Sequence, residues 1–376
     1  MNEKLTRLSE RLAAACLPED VFGALDGPPG EQAAGLKKRY REMARLTHPD
    51  AYFTPLERTF AEQTFIQLAG WLEQAEKRVK AGQYGWAPGS SAGLTLCSRK
   101  REYTIQPGYT EAGLYNCYPC QFELDGQVQQ AVLKVVRQPE NNDLAQNEAQ
   151  VLQCLQAGPG AARFSPYFPA LYDAFAYRQA GADHQALVVD RPDGWVTLEA
   201  VHHAYPRGID PKDMAWIWRR LLTALGHAHR CGVIHAAVLP GSISIHPALH
   251  GLRLENWLAA RTNPQESGEW VTLLDLRYQD WYPVEITRRQ APLPGTDIGM
   301  SARCMVYLLS GEAHSTRLPT RVPRPLRQFL AGCLLPGRLA RPQDAWALKQ
   351  EFDELLTRLW GKRTFHPFSM TGELNH

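Results

Sequence analysis

At 376 residues the chain is long for one domain and comfortable for two. Its 44% hydrophobic and 21% charged residues are those of an ordinary globular protein, so a disordered or fibrous chain is excluded. A net charge of only +2 argues against a general nucleic-acid binder. No apolar run reaches the ~18 residues that suggest a membrane span, and no secretory leader pattern is present. A protein of a reducing, cytoplasmic compartment is expected, with neither nucleic acid nor membrane as partner.

Met1–Cys16 reads as a short amphipathic helix, with Leu5, Leu8 and Leu12 on one face. A second helix is expected at Leu36–Thr47. On that second helix Leu36, Tyr40, Met43 and Thr47 share one narrow face, and Lys37, Lys38, Arg41 and Arg45 share the opposite one. Such a helix packs one side on a partner and offers the other to an acidic surface. Pro49 drives His48 out of the α region and ends the helix. His48, Pro49 and Asp50 then stand at the exposed end of the basic stripe. A long helix over Pro55–Lys80 follows, with Phe60, Thr64, Leu68, Leu72, Ala75 and Val79 facing the second helix.

Helix, His-Pro-Asp, loop and long helix in this order resemble a J-domain, the module by which DnaJ-type co-chaperones stimulate DnaK-type ATPases. The resemblance covers roughly residues 18–85, and in it Asp20–Leu25 resembles the module's short first helix. It implies that His48, Pro49 and Asp50 trigger hydrolysis in the partner and that Lys37, Lys38, Arg41 and Arg45 dock on it. One departure stands out: the loop Ala51–Thr54 lacks the usual lysine.

Gly82–Gly93 is rich in Gly, Ser and Pro and reads as a linker. Strands are expected at Glu102–Ile105, Leu114–Phe122 and Val128–Val136, and a helix at Asp143–Gln156. Two more strands are expected near Ala170–Tyr177 and Gln185–Asp190. From Pro211 onward the pattern is mostly helical, led by Met214, Ile217, Trp218, Leu221, Leu222 and Leu225. The eight cysteines are scattered. Cys117 and Cys120 form a CxxC without a second pair, and read as two cysteines across a strand or turn. No residues stand at metal-ligand spacing. His202, His203, His227 and His229 read as surface or packing residues.

A strand-rich lobe followed by a larger helical lobe resembles the protein-kinase fold. Ala131-Val-Leu-Lys134 resembles the strand-borne lysine motif, and Glu148 the helix carboxylate that orients that lysine. Leu187–Asp190 resembles the last small-lobe strand and the start of the hinge. His229–His235 leads into the loop equivalent to the catalytic loop, where His235 is given a structural role. Glu285 in Tyr282-Pro-Val-Glu285 resembles the end of the activation segment. Asp297 stands where an aspartate anchors the catalytic loop, and Arg341 where an arginine pairs with Glu285.

The working groups of phosphoryl transfer are missing from this comparison. Ala237 occupies the place of the catalytic aspartate, Leu239 that of the phosphate-binding lysine and Ser242 that of the asparagine metal ligand. Asn256 occupies the place of the metal-binding aspartate, with Glu255 one residue away as the alternative. The loop Pro107–Gly113 also lacks the close glycine spacing that lets backbone N–H groups approach phosphates. Loss of one electrostatic element costs on the order of 10²–10³ in rate, so the combined loss implies a pseudokinase and not an enzyme. Lys134 and Glu148 read first as a structural ion pair, with a nucleotide-holding remnant as the alternative. No cofactor or metal is expected. The segment Trp270–Asp280 lies where an activation segment would be and is expected to fill the substrate groove. Phe365-His-Pro-Phe368 reads as a docked tail, with a binding peptide as the alternative.

The expected fold class is α+β. An all-α J-domain with its N-terminal helix (1–85) leads through a linker (86–94) to a kinase-like domain (95–368, small lobe 95–190, large lobe 191–368) and a tail (369–376). The function implied is a co-chaperone or adaptor: the kinase-like domain binds a protein client and the J-domain recruits a DnaK-type ATPase. The alternatives are an atypical kinase-fold nucleotide-binding transferase, and a structural protein with a vestigial J-domain.

Overall fold

The computed structural model describes residues 3–15, 18–23, 25, 29–48, 52, 54–80, 84, 95–179, 182–191, 193–311, 317–362, 364–365 and 368–370. Pro49, Asp50, the linker 86–94 and the tail from 371 therefore lie outside the described residues. The fold is mixed α+β. It divides into two compact units, Met1–Gln129 with Ala176–His184, and Gln130–Phe175 with Gln185–His376.

The first unit begins with four helices: α1 (Glu3–Ala14), α2 (Pro18–Phe22), α3 (Pro29–Thr47) and α4 (Pro55–Lys80). α4 has the bounds its periodicity predicts. α2 ends three residues before the expected Leu25. α3 begins seven residues before the expected Leu36, because Pro29 at its first position supplies a helix-ready φ. The early glycines do not break it. Gly35 stands where the helix passes Leu25, and a Cβ there would come within 3.1 Å of the leucine Cδ2. Leu8, Leu12, Val21, Phe22, Leu36, Leu68, Ala75 and Val79 form the core of this bundle. Trp71 Nε1 donates to Leu12 O at 3.2 Å, and Arg39 to Phe22 O. Tyr84, inside the expected linker, is instead buried and donates its hydroxyl to Gly23 O at 3.0 Å.

The same unit holds strands β1 (Thr95–Cys97), β2 (Glu102–Ile105), β3 (Thr110–Ala112) and β4 (Tyr115–Leu124). All pair antiparallel: β1 on β2 with Thr95 opposite Thr104, β2 on β4 with Ile105 opposite Cys120, and β3 on β4 with Thr110 opposite Cys117. Cys117 and Cys120 therefore lie on one strand, three residues apart, and both are buried.

The second unit takes in β5 (Gln127–Val136) from Gln130 onward, α5 (Asn142–Ala157), the single turn α6 (Ala161–Phe164), β6 (Leu171–Gln179) as far as Phe175, and β7 (Ala182–Asp190) from Gln185 onward. β7 lies between β5 and β6 and pairs antiparallel with β5, with Ala131 opposite Asp190 and Lys134 opposite Leu187. Next come β8 (Val196–Thr197), α7 (Leu198–Ala204), α8 (Pro211–Arg230), β9 (Val233–Ile234), β10 (Ile243–His246), β11 (Gly251–Leu254), β12 (Arg261–Thr262) and the short turn α9 (Pro264–Ser267). The chain closes with α10 (Val284–Thr287), α11 (Pro294–Leu308), α12 (Arg324–Cys333) and α13 (Ala345–Trp360). Four short strands thus interrupt the region whose pattern reads as mostly helical. At two to four residues each, they are too short to show an alternating period.

α8 is the spine of this unit. Asp210 caps its N-terminus by accepting from the Lys212 N–H, and Pro211 fills the first position. Met214, Ile217, Trp218, Leu221, Leu222 and Leu225 are completely buried on it, matching the apolar face read from the sequence. Gly226 lets α13 approach: a Cβ at that position would overlap the Trp346 indole.

Candidate functional site

On α3 the side chains divide as the helical wheel requires. Leu36 and Thr47 are buried, Tyr40 and Met43 half-buried, and Lys37, Lys38, Arg41 and Arg45 exposed. The Thr47 hydroxyl turns back on the last helical turn, 3.3 Å from Ala44 O and 3.4 Å from Met43 O. His48 follows immediately, exposed, with its ring edge-on to Phe65 at 6.4 Å. Pro49 and Asp50 fall outside the described residues, so the geometry of the triad is not assigned. The chain beyond them is held. Tyr52 is buried and donates its hydroxyl to Leu46 O at 2.5 Å, and Arg58 Nε donates to Tyr52 O at 2.9 Å. Thr54 caps α4, with the Glu57 N–H 3.3 Å from its hydroxyl. Tyr52 and Arg58 escape sequence reasoning, because a lone tyrosine in a loop and a lone arginine in the first turn of a helix carry no spacing signal.

The second group of residues is organised by the first turn of α11. Asp297 is fully buried there. Its Oδ2 accepts from the His235 N–H at 2.8 Å, and its Oδ1 accepts from the Ala236 N–H at 2.7 Å. His229 Nε2 lies 2.9 Å from the same carboxylate. The partner is 68 residues away in sequence, beyond any local spacing. Ala236 takes a left-handed conformation, φ +61°, which costs a β-carbon residue roughly 1–2 kcal/mol. The two N–H bonds to Asp297 hold the chain in that shape. His235 is fully buried, with Nε2 2.9 Å from Glu255 O. Burial pushes its pKa below the usual 6.5, against the opposing pull of Asp297.

The loop that follows is closed on itself. Ala237 and Leu239 are buried. The Ser242 hydroxyl accepts from the Leu239 N–H at 2.9 Å and lies 3.0 Å from Ala237 O. Among the described residues these three present neither a carboxylate nor an ammonium to a ligand. Asn256 is exposed and left-handed at φ +63°. Glu255 directs its carboxylate toward Arg253, 3.8 Å from Nε.

Lys134 on β5 and Glu148 on α5 meet, Nζ to Oε1 at 2.8 Å, with the glutamate fully buried. The Trp257 N–H lies 3.4 Å from the same oxygen. Asn147, one residue earlier, donates to Ala260 O at 3.0 Å. α5 is thereby tied to the turn Trp257–Ala259, and Lys134 is one member of that tie.

Glu285 and Arg341 are likewise brought together. Arg341 Nη2 lies 2.7 Å from the buried carboxylate. Thr296 Oγ1 donates to Glu285 Oε1 at 3.0 Å, and Arg341 Nη1 donates to Gly295 O at 3.1 Å.

Two ion-pair systems were not legible in the sequence. Arg253, buried on β11, forms a fork with Asp190 at the end of β7, at 2.5 and 2.8 Å. Burial works against the guanidinium charge, and the bonds from Asp190 overcome it and raise its pKa. A lone arginine between Leu252 and Leu254 on a strand was the available sign. Near α7, the Tyr278 hydroxyl donates to Glu199, and Arg277 pairs with Asp275 at 2.7 Å and approaches Glu199 at 3.8 Å. The segment Leu276–Trp281 is thus a 3-10 turn pinned to the start of α7, while Leu276 at its tip is 77% exposed.

Among the described residues no cluster of three or more His, Cys, Asp or Glu side chains is arranged to hold a metal ion. No described helix is long and apolar enough to cross a membrane. No protein-family model matches the chain, and no curated protein matches it significantly.

Proposed function

We propose that the chain is a J-domain co-chaperone whose kinase-like domain is a catalytically silent, partner-binding scaffold. The observation that carries the reading is the exposed row Lys37, Lys38, Arg41 and Arg45 on α3, running to an exposed His48 and backed by a buried face against α4. Such a row steers and orients an acidic partner more than it adds affinity. A DnaK-type chaperone is that partner, and His48-Pro49-Asp50 is the element that stimulates its ATPase. The second unit then supplies attachment to a protein client.

The scaffold reading is supported by what surrounds the degenerate positions. Ala237, Leu239 and Ser242 form a self-bonded loop. Arg253 bridges to Asp190, joining the strand that precedes the degenerate metal position to the strand end read as a hinge. A second reading, a nucleotide-binding transferase, is favoured only by the Lys134–Glu148 pair, which serves equally as the tie between β5 and α5.

The deciding experiment adds the full chain to a DnaK-type chaperone of the same host and measures steady-state ATP hydrolysis. A several-fold rise is expected, abolished by His48→Gln and by Asp50→Asn while circular dichroism stays unchanged. Absence of any rise, or a rise that survives both substitutions, would overturn the reading.

A further inference from the structure

α6, α8, α13 and the chain around His250 and Phe365 enclose three depressions of about 390, 630 and 640 Å³. They run into one another. Trp216, Arg219 and His250 line both the first and the second, while Arg163, Phe164 and Lys349 line both the second and the third. The result is an elongated groove within the second unit, not a closed pocket for a small molecule.

Its lining is strongly basic. Lys212, Arg219 and Lys362 stand at one end, Arg220 in the middle, and Arg163 and Arg230 with Lys349 at the other. Among the described residues Asp353 is the one acid that lines it. Its charge is already met by Arg219 and by Lys349 Nζ at 2.7 Å. Lys212, Lys362, Arg163, Arg220 and Arg230 make no ion pair among the described residues. Arg220 donates to the neutral Tyr167 hydroxyl, and Arg230 lies over the Trp346 ring at 5.6 Å. A whole-chain charge of +2 conceals this local excess.

The groove also offers apolar anchorage. Trp216 stacks on His250 at 4.2 Å, and His250 stacks on Phe365 at 4.4 Å. Phe365 ends that stack 68% exposed, and Leu249 in the adjoining depression is 73% exposed. Trp216 is more than nine-tenths buried, yet its Nε1–H has no acceptor among the described residues. A buried indole N–H ordinarily finds one.

We infer that this groove docks an extended acidic segment of a partner protein, its carboxylates along the unpaired cations and an aromatic or aliphatic side chain seated against Phe365 and Leu249. Single-stranded nucleic acid fits less well. It needs successive open ring faces, whereas Trp216 and His250 spend theirs on each other and on Phe365. A lipid surface needs a protruding apolar face, and this one is recessed. The inference deepens the adaptor reading and rests on it only in taking the segment to be a client's.

The test uses the full chain with no chaperone present and follows anisotropy of a fluorescein-labelled random copolymer of glutamate and tyrosine. Polyglutamate and an oligouridylate are the comparison ligands. The copolymer should bind about tenfold more tightly than polyglutamate, because anchoring side chains carry most of the energy of such interfaces. Phe365→Ala should remove that advantage. Arg163→Glu and Lys212→Glu, both at exposed sites, should each weaken the copolymer about tenfold without changing the melting temperature. A copolymer that binds no better than polyglutamate, or equally well to both charge reversals, overturns the inference. Tighter binding of the oligouridylate overturns it in favour of nucleic acid. Failure here with chaperone stimulation intact removes the groove alone. Lost stimulation with copolymer binding intact removes the co-chaperone reading alone.

Discussion

Arg341 and Glu285, 56 residues apart in sequence, meet in the interior of the second unit, 2.7 Å apart and with side chains 2% and 0% exposed. The pair reaches further than its two members. Through Thr296 and Gly295 it fixes the first turn of α11, and the next residue, Asp297, holds the loop at His235 and Ala236. Removing one partner of a buried pair leaves an uncompensated charge, which costs about 3–5 kcal/mol. Arg341→Ala and Glu285→Gln should each lower the melting temperature of the full chain by several degrees. The double variant should lose less than the sum, because both changes delete one interaction. Strictly additive losses in chemical denaturation would show that the two residues are not coupled.

The Lys134–Glu148 tie makes a separate prediction. Lys134→Met leaves a fully buried glutamate without its cation and should destabilise by about 3–5 kcal/mol, whereas the double change Lys134→Met with Glu148→Gln should recover part of that loss. Millimolar ATP with Mg²⁺ should leave the wild-type melting temperature unchanged. A ligand present at ~100 times its Kd would add about 2.7 kcal/mol of stability. A clear upward shift that vanishes in Lys134→Met would promote the nucleotide-binding reading. So would transfer of label from ATP to the chain or to an added protein.

Gly226 sets two effects against each other. Alanine is the better helix former by about 1 kcal/mol, and in an exposed helix the change would stabilise. Here the new methyl would enter the Trp346 ring. Overpacking of that kind costs typically 1–3 kcal/mol, so Gly226→Ala should be neutral to destabilising. Pairing it with Trp346→Leu should recover stability relative to Gly226→Ala alone. Thermal melts of the single and paired variants give the answer directly.

Acid should weaken the fold from about pH 6.5 downward. Burial holds His235 below its ordinary value of 6.5, despite Asp297, Glu148 and the Glu255 carbonyl, and His229 acts in the same direction as burial. Burial also lowers the pKa of His202 and His227. Below pH 6.5 the unfolded chain takes up protons that the folded chain refuses, so stability rises with pH through this range. The contribution is complete above 6.5 and is lost as pH falls toward the depressed folded values. His202 stacks on Tyr307 at 3.7 Å. His202→Phe keeps a ring in that place, removes one titrating group and should make the acid slope shallower. A melting temperature that stays level or climbs between about pH 7 and 5.5 would contradict this account.

How much of this was written in the sequence depends on the range of the interaction. The bounds of α4 and the buried face of α8 come from a 3.6-residue period sustained over several turns, which few other arrangements satisfy. β9 to β12 offer too few residues for any period. The early start of α3 was hidden by Gly30 and Gly35, since propensity is a weak prior that packing overrides. In the candidate site, Lys134–Glu148 and Glu285–Arg341 were each anticipated as pairs and are found in contact. His229–Asp297, Arg253–Asp190 and Tyr278–Glu199 were not, because two charges distant in sequence leave no local pattern. They become visible only when the backbone brings them within bonding distance.

The fork between Arg253 and Asp190 also bears on whether such a chain could regain what the proposed reading says it lacks. Ala237→Asp, Leu239→Lys and Ser242→Asn would return three side chains, yet the buried Arg253 guanidinium would still be held by Asp190. Removing Arg253 first would strand Asp190 without its cation and disturb the end of β7, with no activity to offset the harm. Restoring the side chains first would place charged groups in a buried loop that now satisfies its own hydrogen bonds. Neither order offers a selectable intermediate. On this reading the route back is blocked by the sequence of steps and not only by their number, leaving the domain free to diversify as a binding surface.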